Sequence, residues 1–332
     1  MTMRVLVTGG AGFIGSHLVS ALLERDDVCA IRVLDDLSNG SRANLAHLHD
    51  SRLEVYVGSV TDPATVSAAM SEVTHVWHLA CLGVRHSLHD PMTNHRVNAE
   101  GSLVVLLAAR DARVKRYVHV SSSEVYGTAQ YAPMDEDHPT TPETVYGGSK
   151  LAGEAYARAM YRTYTMPVVV ARPFNTYGER SHFEGDSGEV IPRTIVRALC
   201  GERPLIFGDG KQTRDLTHVT DTAAGLIALG LSDAAVGRTV NLGSGIETSV
   251  LQIAASVAVA VGRKDLFPLH LDERPGDVRR LLADATQMHD LTSWRPLVPF
   301  DDGVATLTRW FSSRDQSPQE MLRAIEAQNW HV

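Results

Sequence analysis

The sequence predicts an α/β protein in which a doubly wound parallel sheet is joined to a smaller C-terminal lobe. Short β-branched runs alternate with helical patterns through the first half of the chain. A glycine-rich turn follows the first of these runs, and loops rich in Gly, Pro and Asp multiply after about residue 176. Such alternation is typical of a parallel sheet with helices on both faces.

The predicted strands are short and apolar, and a helical segment separates most of them. In chain order they are residues 3–8, 29–35, 53–57, 75–80, 116–120 and 167–171. Predicted helices begin after the glycine-rich turn, after Asp62-Pro63, near residue 97 and at YGGSK (146–150). We place a nucleotide-binding domain at residues 1–175 and a second lobe at 176–332, with interleaved boundaries.

Composition excludes several classes of protein. The 332 residues carry a formal net charge of −8, which provides no basic patch for nucleic acid. Cys29, Cys81 and Cys200 are far apart, so we expect neither a disulfide framework nor a zinc site, and no other metal. The sequence shows neither a secretory signal nor an apolar run long enough to cross a membrane. We therefore expect a cytoplasmic protein.

The glycine-rich turn has the spacing of a dinucleotide-binding loop. Its predicted ligand-binding residues are Gly9, Gly12, Phe13, Ile14 and Gly15, which follow the first strand and open the first helix. Glycines at intervals of three let the backbone turn tightly, approach a pyrophosphate and pack helix against strand. The phosphates are then expected at the N-terminus of that helix.

Acidic residues at the end of the second predicted strand favour NAD over NADP. Asp35 stands twenty residues beyond Gly15, and Asp36 follows it. A carboxylate there accepts hydrogen bonds from ribose hydroxyls and repels a 2′-phosphate. Arg32 and Arg42 keep NADP as the alternative.

A serine, a tyrosine and a lysine form the predicted reactive group. Tyr146 and Lys150 are four residues apart on a helix, so they share one face, and Ser122 follows a predicted strand. A phenol becomes a useful base at neutral pH when nearby positive charges lower its pKa, and we assign that effect to Lys150 together with the positive nicotinamide ring. Tyr146 then takes the proton of a sugar hydroxyl while Ser122 hydrogen-bonds the same oxygen.

Glu124 follows three consecutive serines, and its role depends on whether its side chain faces the predicted catalytic residues. The segment reads SSSEVYG (121–127), so Ser123 and Glu124 adjoin the predicted catalytic serine. If Glu124 faces the same cavity as Tyr146, it adds an acid or base to the chemistry. The alternative is a surface charge outside the cavity.

Motifs along nearly the whole chain resemble the extended short-chain dehydrogenase/reductase family that modifies nucleotide sugars. They are TGGAGFIGSHL, DDLSNG, HLA (78–80), VNAEGS (97–102), SSSEVYG, YGGSK, RPFNTYG (172–178) and FGDGKQTRDLTHVTD (207–221). The resemblance implies a Rossmann-type domain with tightly held NAD and a C-terminal lobe that grips a nucleoside-diphosphate (NDP) sugar. It also implies transient oxidation of the sugar at C4 and a homodimer built on the helices near 97–112 and 149–163.

The same resemblance assigns further binding residues. For the cofactor, Asp62 would meet the adenine, and Leu79, Ala80 and Cys81 would line the ribose. For the substrate, the implied residues are Arg85, Asn175, Arg180, Phe207, Arg214, Arg274 and Asp277. Of these, Asn175 and Arg214 would hold the diphosphate and Phe207 would stack on the base. Arg85 would meet a hexuronate carboxylate.

Three outcomes compete once C4 is a ketone. Epimerisation needs only the serine, tyrosine and lysine, whereas loss of water across C5–C6 needs an additional base and acid. A 4-keto uronate is a β-keto acid and releases carbon dioxide by itself. Dehydratases of thymidine-diphosphate sugars carry Thr-Asp-Glu where this chain has Ser122-Ser123-Glu124, and the missing Asp weakens that assignment. Dehydration stays open, because serine at that position also occurs in GDP-mannose dehydratases and in dehydratases of N-acetylated UDP-sugars, which the run EVYGTAQY (124–131) resembles.

Ser-Glu at this position is similar to UDP-glucuronate decarboxylases. The segment GERSHFEGDSGEV (178–190) also resembles their Gly-Pro-Arg-x-His loop, whereas GVRHS (83–87) resembles UDP-glucuronate 4-epimerases. We predict decarboxylation of UDP-glucuronate. The alternatives are a UDP-hexose or UDP-hexuronate 4-epimerase, an NDP-sugar 4,6-dehydratase, a keto-sugar reductase and a protein that binds the dinucleotide without reacting.

Overall fold

The computed structural model describes residues 2–273 and 279–325. The strands of this part are β1 (Met3–Thr8), β2 (Val28–Asp35), β3 (Leu53–Val57), β4 (His75–His78), β5 (Arg116–Val120), β6 (Val168–Pro173), β7 (Asn175–Tyr177), β8 (Leu205–Phe207), β9 (Thr213–His218), β10 (Thr239–Leu242), β11 (Glu247–Ser249) and β12 (Leu269–Leu271).

The helices of the described part flank these strands. They are α1 (Phe13–Leu23), α2 (Pro63–Ala69), α3 (His86–His89), α4 (Pro91–His95), α5 (Gly101–Asp111), α6 (Val145–Tyr164), α7 (Val190–Leu199), α8 (Val219–Leu231), α9 (Val250–Ala260), α10 (Thr286–Thr292), α11 (Phe300–Ser312) and α12 (Pro318–Arg323). A π-helical turn, Arg96–Glu100, joins α4 to α5, so the helix predicted over 97–112 is irregular at its start.

The main sheet has seven strands in the order β10-β6-β5-β4-β1-β2-β3. Every neighbouring pair in it is parallel. Helices cover both faces, which is why β5 and β6 are buried along their entire lengths. The predicted doubly wound fold is confirmed, and the six predicted strands are all present.

The seventh strand was not predicted. β10 lies beyond residue 176 in sequence, yet it extends the main sheet by pairing with β6. Helix α8 also returns to this sheet, where Trp77 of β4 donates a hydrogen bond to the Leu226 carbonyl at 2.8 Å. The chain therefore returns to the main sheet after residue 176, where the second lobe was predicted to begin.

The second lobe has its own core between α7, α9 and α11. Buried members include Ile195, Val257, Leu307 and Phe311. Two small sheets accompany it, with strand orders β11-β9-β7 and β12-β8. In the described part, no helix is long and apolar enough to cross a membrane.

Candidate active site

The glycine-rich turn lies between β1 and α1. Gly9 has φ +69°, and a Cβ on Gly15 would come within 2.1 Å of the Gly9 carbonyl oxygen, so both positions require glycine. Gly12 is the N-cap of α1, and Phe13 and Ile14 form its first turn. That turn carries no acidic side chain, so its N–H groups can receive an anion.

A cavity opens beside this turn at the carboxyl ends of the strands. Six residues predicted to bind the cofactor line it: Gly9, Asp35, Asp36, Leu79, Ala80 and Cys81. Gly58 and Val60, which follow β3, line it as well. The carboxyl edge is where sheets of this class bind dinucleotides.

Asp35 is a fixed part of the cavity wall. Its carboxylate is 7% exposed and accepts hydrogen bonds from the N–H groups of Ala11 and Leu37, each at 2.9 Å. Burial raises the pKa of Asp35, and the two backbone hydrogen bonds oppose that rise. Each oxygen keeps a lone pair for a ligand hydroxyl. Arg32, by contrast, is bound to Glu54 at 3.2 Å.

The structure does not bring Asp62 into this cavity lining. Its carboxylate caps α2 by accepting hydrogen bonds from Ala64 N–H at 3.1 Å and Thr65 N–H at 3.3 Å. A hydrogen bond from the Thr65 hydroxyl and those from the two N–H groups lower the pKa of Asp62. The local reason is the Asp-Pro start of the helix, and contact with adenine stays a prediction for this residue.

The predicted reactive residues lie together where α6 starts beside the end of β5. Thr144 caps α6 by accepting the Gly147 N–H at 3.1 Å. Tyr146 is in the first turn, and the Ser122 hydroxyl interacts with its phenol in a way that lowers the pKa of Tyr146. Lys150, only 4% exposed, donates to the Val120 carbonyl at 2.8 Å, and its nitrogen is 6.0 Å from the centre of the Tyr146 ring.

The pKa of Tyr146 differs in direction from the sequence prediction. Burial raises the pKa of the phenol, the Cys81 thiol and the Glu124 carboxylate add to the rise, and the Ser122 hydrogen bond lowers it. Lys150 was expected to dominate, but its ammonium is directed to the Val120 carbonyl. In the protein alone, burial therefore outweighs the nearby cation.

Glu124 faces the same site as Tyr146. It follows Ser122, whose hydroxyl oxygen accepts the Glu124 N–H at 3.2 Å, and it is half-buried. Burial raises the pKa of Glu124, the Arg214 guanidinium lowers it, and Glu143 raises it further. Glu124 in turn raises the pKa of Tyr146, so its carboxylate and the phenol act on each other electrostatically. Ser123 is buried beside it at 4% exposure.

The predicted substrate residues are only partly brought together. Arg214 of β9 interacts with Glu124, whereas Phe207 ends β8 half-buried and Asn175 opens β7 exposed. Arg180 binds His47, in the loop after β2, at 3.0 Å and so lies toward the nucleotide-binding domain. Arg274 and Asp277, predicted to close over phosphate and ribose, lie outside the described residues.

Glu189 is a titratable group near Arg85 that the sequence prediction missed. It is the half-buried N-cap of α7, and burial raises its pKa to about 7 while His182 and Arg85 oppose the rise. A lone glutamate before an apolar helix carries no signal of this contact, because Arg85 is about a hundred residues away in sequence.

Taken together, the turn, the acid after β2 and the Ser-Tyr-Lys group define a dinucleotide-binding α/β site with acid-base residues at the same sheet edge. A family model described as GDP-mannose 4,6 dehydratase matches residues 6–307. The chain belongs to this family, within the extended short-chain dehydrogenases/reductases, which confirms the resemblance seen in the motifs.

Relatives with three different activities are similarly close to this chain. The UDP-glucose 4-epimerase of Mycolicibacterium smegmatis is 36% identical and covers 95% of this chain and 100% of its own. The dTDP-glucose 4,6-dehydratase of an Actinoplanes species is 33% identical, with 93% and 98% covered. UDP-glucuronic acid decarboxylase 1 of Xenopus tropicalis is 32% identical, with 93% and 72% covered. The chain is thus an enzyme of this group, and sequence identity does not choose among the three reactions.

Solved structures agree in fold. A UDP-N-acetylglucosamine 4-epimerase from Methanobrevibacter ruminantium, in complex with UDP-N-acetylmuramic acid, has a TM-score of 0.89 at 31% identity over 94% of this chain and 99% of its own. DesIV, a dTDP-glucose 4,6-dehydratase from Streptomyces venezuelae with NAD and TYD bound, has a TM-score of 0.86 at 31% identity over 93% and 97%. The prediction of NAD as the cofactor is confirmed at the level of these neighbours.

Replacing Glu189 is expected to change how stability depends on pH. The pKa of Glu189 rises from 4.5 to about 7 on folding, so the native chain binds more protons than the unfolded chain in that window. The free energy of unfolding therefore falls as pH rises through the window, and Glu189→Gln removes this decline. We expect the Tm of the wild type minus that of Glu189→Gln to decrease between about pH 5 and pH 8.

Glu320→Gln is the matched control, because that exposed carboxyl has a lowered pKa and is ionised in both states throughout this range. Parallel curves of Tm against pH for the wild type and Glu189→Gln would contradict the assignment.

Proposed function

We propose that this protein is an NAD-dependent enzyme that oxidises an NDP-sugar at C4 and releases carbon dioxide from the resulting 4-keto uronate. The best substrate under this proposal is UDP-glucuronate, which would give a UDP-pentose or its 4-keto form. The observation that carries the proposal is Glu124, a half-buried carboxyl that interacts with both Tyr146 and Arg214.

The cavity residues fit NAD. The open N-terminus of α1 suits the pyrophosphate, and Asp35 suits the adenosine ribose and disfavours a 2′-phosphate. Tyr146 and Lys150 would hold the nicotinamide ribose. When bound, NAD supplies a hydride acceptor and a positive ring near the phenol. That positive charge opposes the rise in the pKa of Tyr146 that burial causes.

Tyr146, Ser122 and Lys150 would serve the oxidation at C4. Tyr146 takes the proton of the C4 hydroxyl, Ser122 holds the same oxygen by a hydrogen bond, and Lys150 stabilises the phenolate. Asn175 and Arg214 would bind the diphosphate, for which a guanidinium is suited by its fork of donors. In this proposal Phe207, Arg180, Arg274 and Asp277 complete the nucleotide site, and Arg85 meets the carboxylate of the sugar.

Decarboxylation needs one proton donor near C5. The C5–C6 bond breaks, its electron pair moves into the C4 ketone as an enolate, and carbon dioxide leaves. A proton must then return to C5, and Glu124 can supply it because burial raises its pKa. Dehydration would also require an acid at the C6 hydroxyl, and the neighbouring position holds the buried Ser123. One carboxyl beside Tyr146 therefore supports decarboxylation.

Epimerisation at C4 is the second candidate. It is the activity named for the M. smegmatis relative and for the M. ruminantium structure, and relatives with the other two activities are similarly close. It uses the same serine, tyrosine and lysine. Epimerisation at C4 includes no step that requires Glu124.

We further propose a cytoplasmic homodimer with the nucleotide site in residues 1–175 and the sugar site in 176–332. Large apolar side chains on α4, α5 and α6 are exposed, including Met92, Leu107 and Tyr161. Pairing of these helices between two copies would cover them.

A panel of UDP-glucuronate, UDP-glucose and UDP-N-acetylglucosamine tests the reaction. We expect carbon dioxide and a UDP-pentose or UDP-4-keto-pentose from UDP-glucuronate, measured by mass spectrometry. Persistence of the six-carbon acid with inversion at C4, read by NMR, would replace decarboxylation by epimerisation. Loss of water from either neutral sugar would indicate a dehydratase.

Tyr146→Phe is expected to lower turnover about 100- to 10,000-fold, because it removes the proton acceptor at C4. Turnover is measured with the preferred sugar of the panel, and circular dichroism checks the fold. Tyr164→Phe, at the exposed end of the same helix, is the control and should retain full activity. Undiminished conversion by Tyr146→Phe would refute the proposed chemistry at its first step.

Glu124→Gln separates oxidation from the later proton transfer. We expect the variant to oxidise C4 while its overall turnover falls about 100-fold or more. Turnover in deuterium oxide, followed by mass spectrometry of the product, measures proton return at C5. Glu143→Gln removes an exposed carboxyl that acts on Glu124 only electrostatically, so it should stay near wild type. Equal activity of Glu124→Gln and wild type would favour epimerisation.

A further inference from the structure

Helix α6 holds the end of β5 through residues spaced four apart. Lys150 donates to the Val120 carbonyl at 2.8 Å, and Glu154 accepts the Ser121 hydroxyl at 2.6 Å. Tyr146, one turn before Lys150, is on the same face and interacts with the Ser122 hydroxyl. Side chains at positions i, i+4 and i+8 of a helix share a face. One face of α6 therefore meets three consecutive residues at the end of β5, namely residues 120–122.

Glu154 is the deepest of these contacts and the most constrained. Its side chain is fully buried, and Arg172 of β6 binds both of its oxygens, at 2.8 and 2.7 Å. Arg158 binds one of those oxygens from the outer side at 2.8 Å. A bidentate guanidinium fixes the plane of the carboxylate, so Oε1 is held in place for the Ser121 hydroxyl.

Ser121 is thereby fixed from two sides. Its N–H donates to the Ala171 carbonyl of β6 at 2.7 Å, and its hydroxyl donates to Glu154. The hydroxyl oxygen of the next residue, Ser122, accepts the Glu124 N–H. The hydroxyl proton of Ser122 is therefore available to the Tyr146 phenol. Movement of Ser121 would displace both Ser122 and Glu124.

We propose that Glu154 is a positioning residue for the oxidation at C4, acting through Ser121 on the Ser122–Tyr146 hydrogen bond. The inference rests on the oxidation step of the proposed function and is independent of whether decarboxylation follows. It assigns Glu154 a task beyond stabilising the fold. The glutamate does not touch the reacting atoms and sets the distance between the groups that do.

The charged and titratable groups facing Tyr146 determine the expected pH effect. They are Cys81 after β4, Glu124 after β5 and Lys150 on α6 itself. The Ser122 hydrogen bond lowers the pKa of Tyr146, whereas Cys81 and Glu124 raise it. Loss of the Ser122 contact therefore raises the pKa of the phenol, and the acid limb of the rate profile moves to higher pH.

Ser121→Ala tests this directly, because it removes the contact of Glu154 with the strand end and leaves the ion pair with Arg172 intact. We expect kcat of the holoenzyme to fall about tenfold, within the range caused by small misplacements of reacting groups. KM and UDP affinity, measured by calorimetry, should stay within about twofold, and Tm should stay near wild type. The acid limb of the kcat profile should move to higher pH.

Glu154→Gln should show the same changes in kcat and pH profile together with a lower Tm, because Arg172 loses its charged partner. Arg158→Ala is the matched control. Arg158 contacts the same carboxylate through Oε2, whereas the Ser121 hydroxyl uses Oε1, and the Arg158 side chain is 30% exposed, so kcat and the pH profile should be unchanged.

An unchanged kcat and pH profile in Ser121→Ala would overturn the inference, as would an equal loss in Arg158→Ala. Titration of the Tyr146 phenol in the NAD-loaded protein, where the positive ring opposes the rise in its pKa, gives a readout without substrate, as the difference in ultraviolet absorbance between proteins with and without Tyr146→Phe. Ser121→Ala should raise that pKa. If no sugar in the panel is converted but this shift is seen, the proposed function fails and the positioning role stands; if the shift is absent, the positioning role fails.

Discussion

The close approach of α6 to the carboxyl end of β5 is the contact on which the site depends. It requires small residues on the facing side of the helix. A Cβ on Gly147 would lie 2.6 Å from the Glu124 carbonyl oxygen, and one on Gly153 would lie 2.8 Å from the His119 ring. Without side chains at these positions, the helix comes near enough for Tyr146, Lys150 and Glu154 to reach the strand end. The same approach withdraws Tyr146 from water, which raises the pKa of its phenol.

Three buried or half-buried glutamates show how partners decide the role of a carboxyl in this protein. Glu154 is matched by two arginines and a serine, and these bonds lower its pKa. Removing one partner of such a buried pair typically costs about 3–5 kcal/mol, which marks Glu154 as part of the scaffold. Glu124 and Glu189 interact with arginines yet have raised pKa values, because burial outweighs the attraction. Glu189, whose pKa is about 7, can therefore exchange protons near neutral pH, as acid-base chemistry requires.

The sequence predicted the features that depend on residues close together in the chain. The glycine spacing, the acid after β2 and the four-residue spacing of Tyr146 and Lys150 each reflect a short stretch of chain, and the structure places all of them at one sheet edge. The four-residue spacing of Tyr146 and Lys150 continues to Glu154. The sequence alone could therefore have placed Glu154 on the same face of the helix, one turn further along. β10 was missed because its three-dimensional neighbour β6 is remote in sequence. The partner of Lys150 could not be predicted, because it is the Val120 carbonyl of another element.

Relatives with three activities share this scaffold, and under the proposed chemistry one difficult step would serve all three reactions. Oxidation at C4 makes the C5 proton acidic and allows a C6 carboxylate to leave, whichever product forms later. What differs is the supply of proton-transfer groups near C5 and C6, which only a few side chains provide. This chain combines Glu124 with Ser123 at those positions. By that reasoning it carries one proton-transfer group more than epimerisation at C4 requires, and one fewer than dehydration requires.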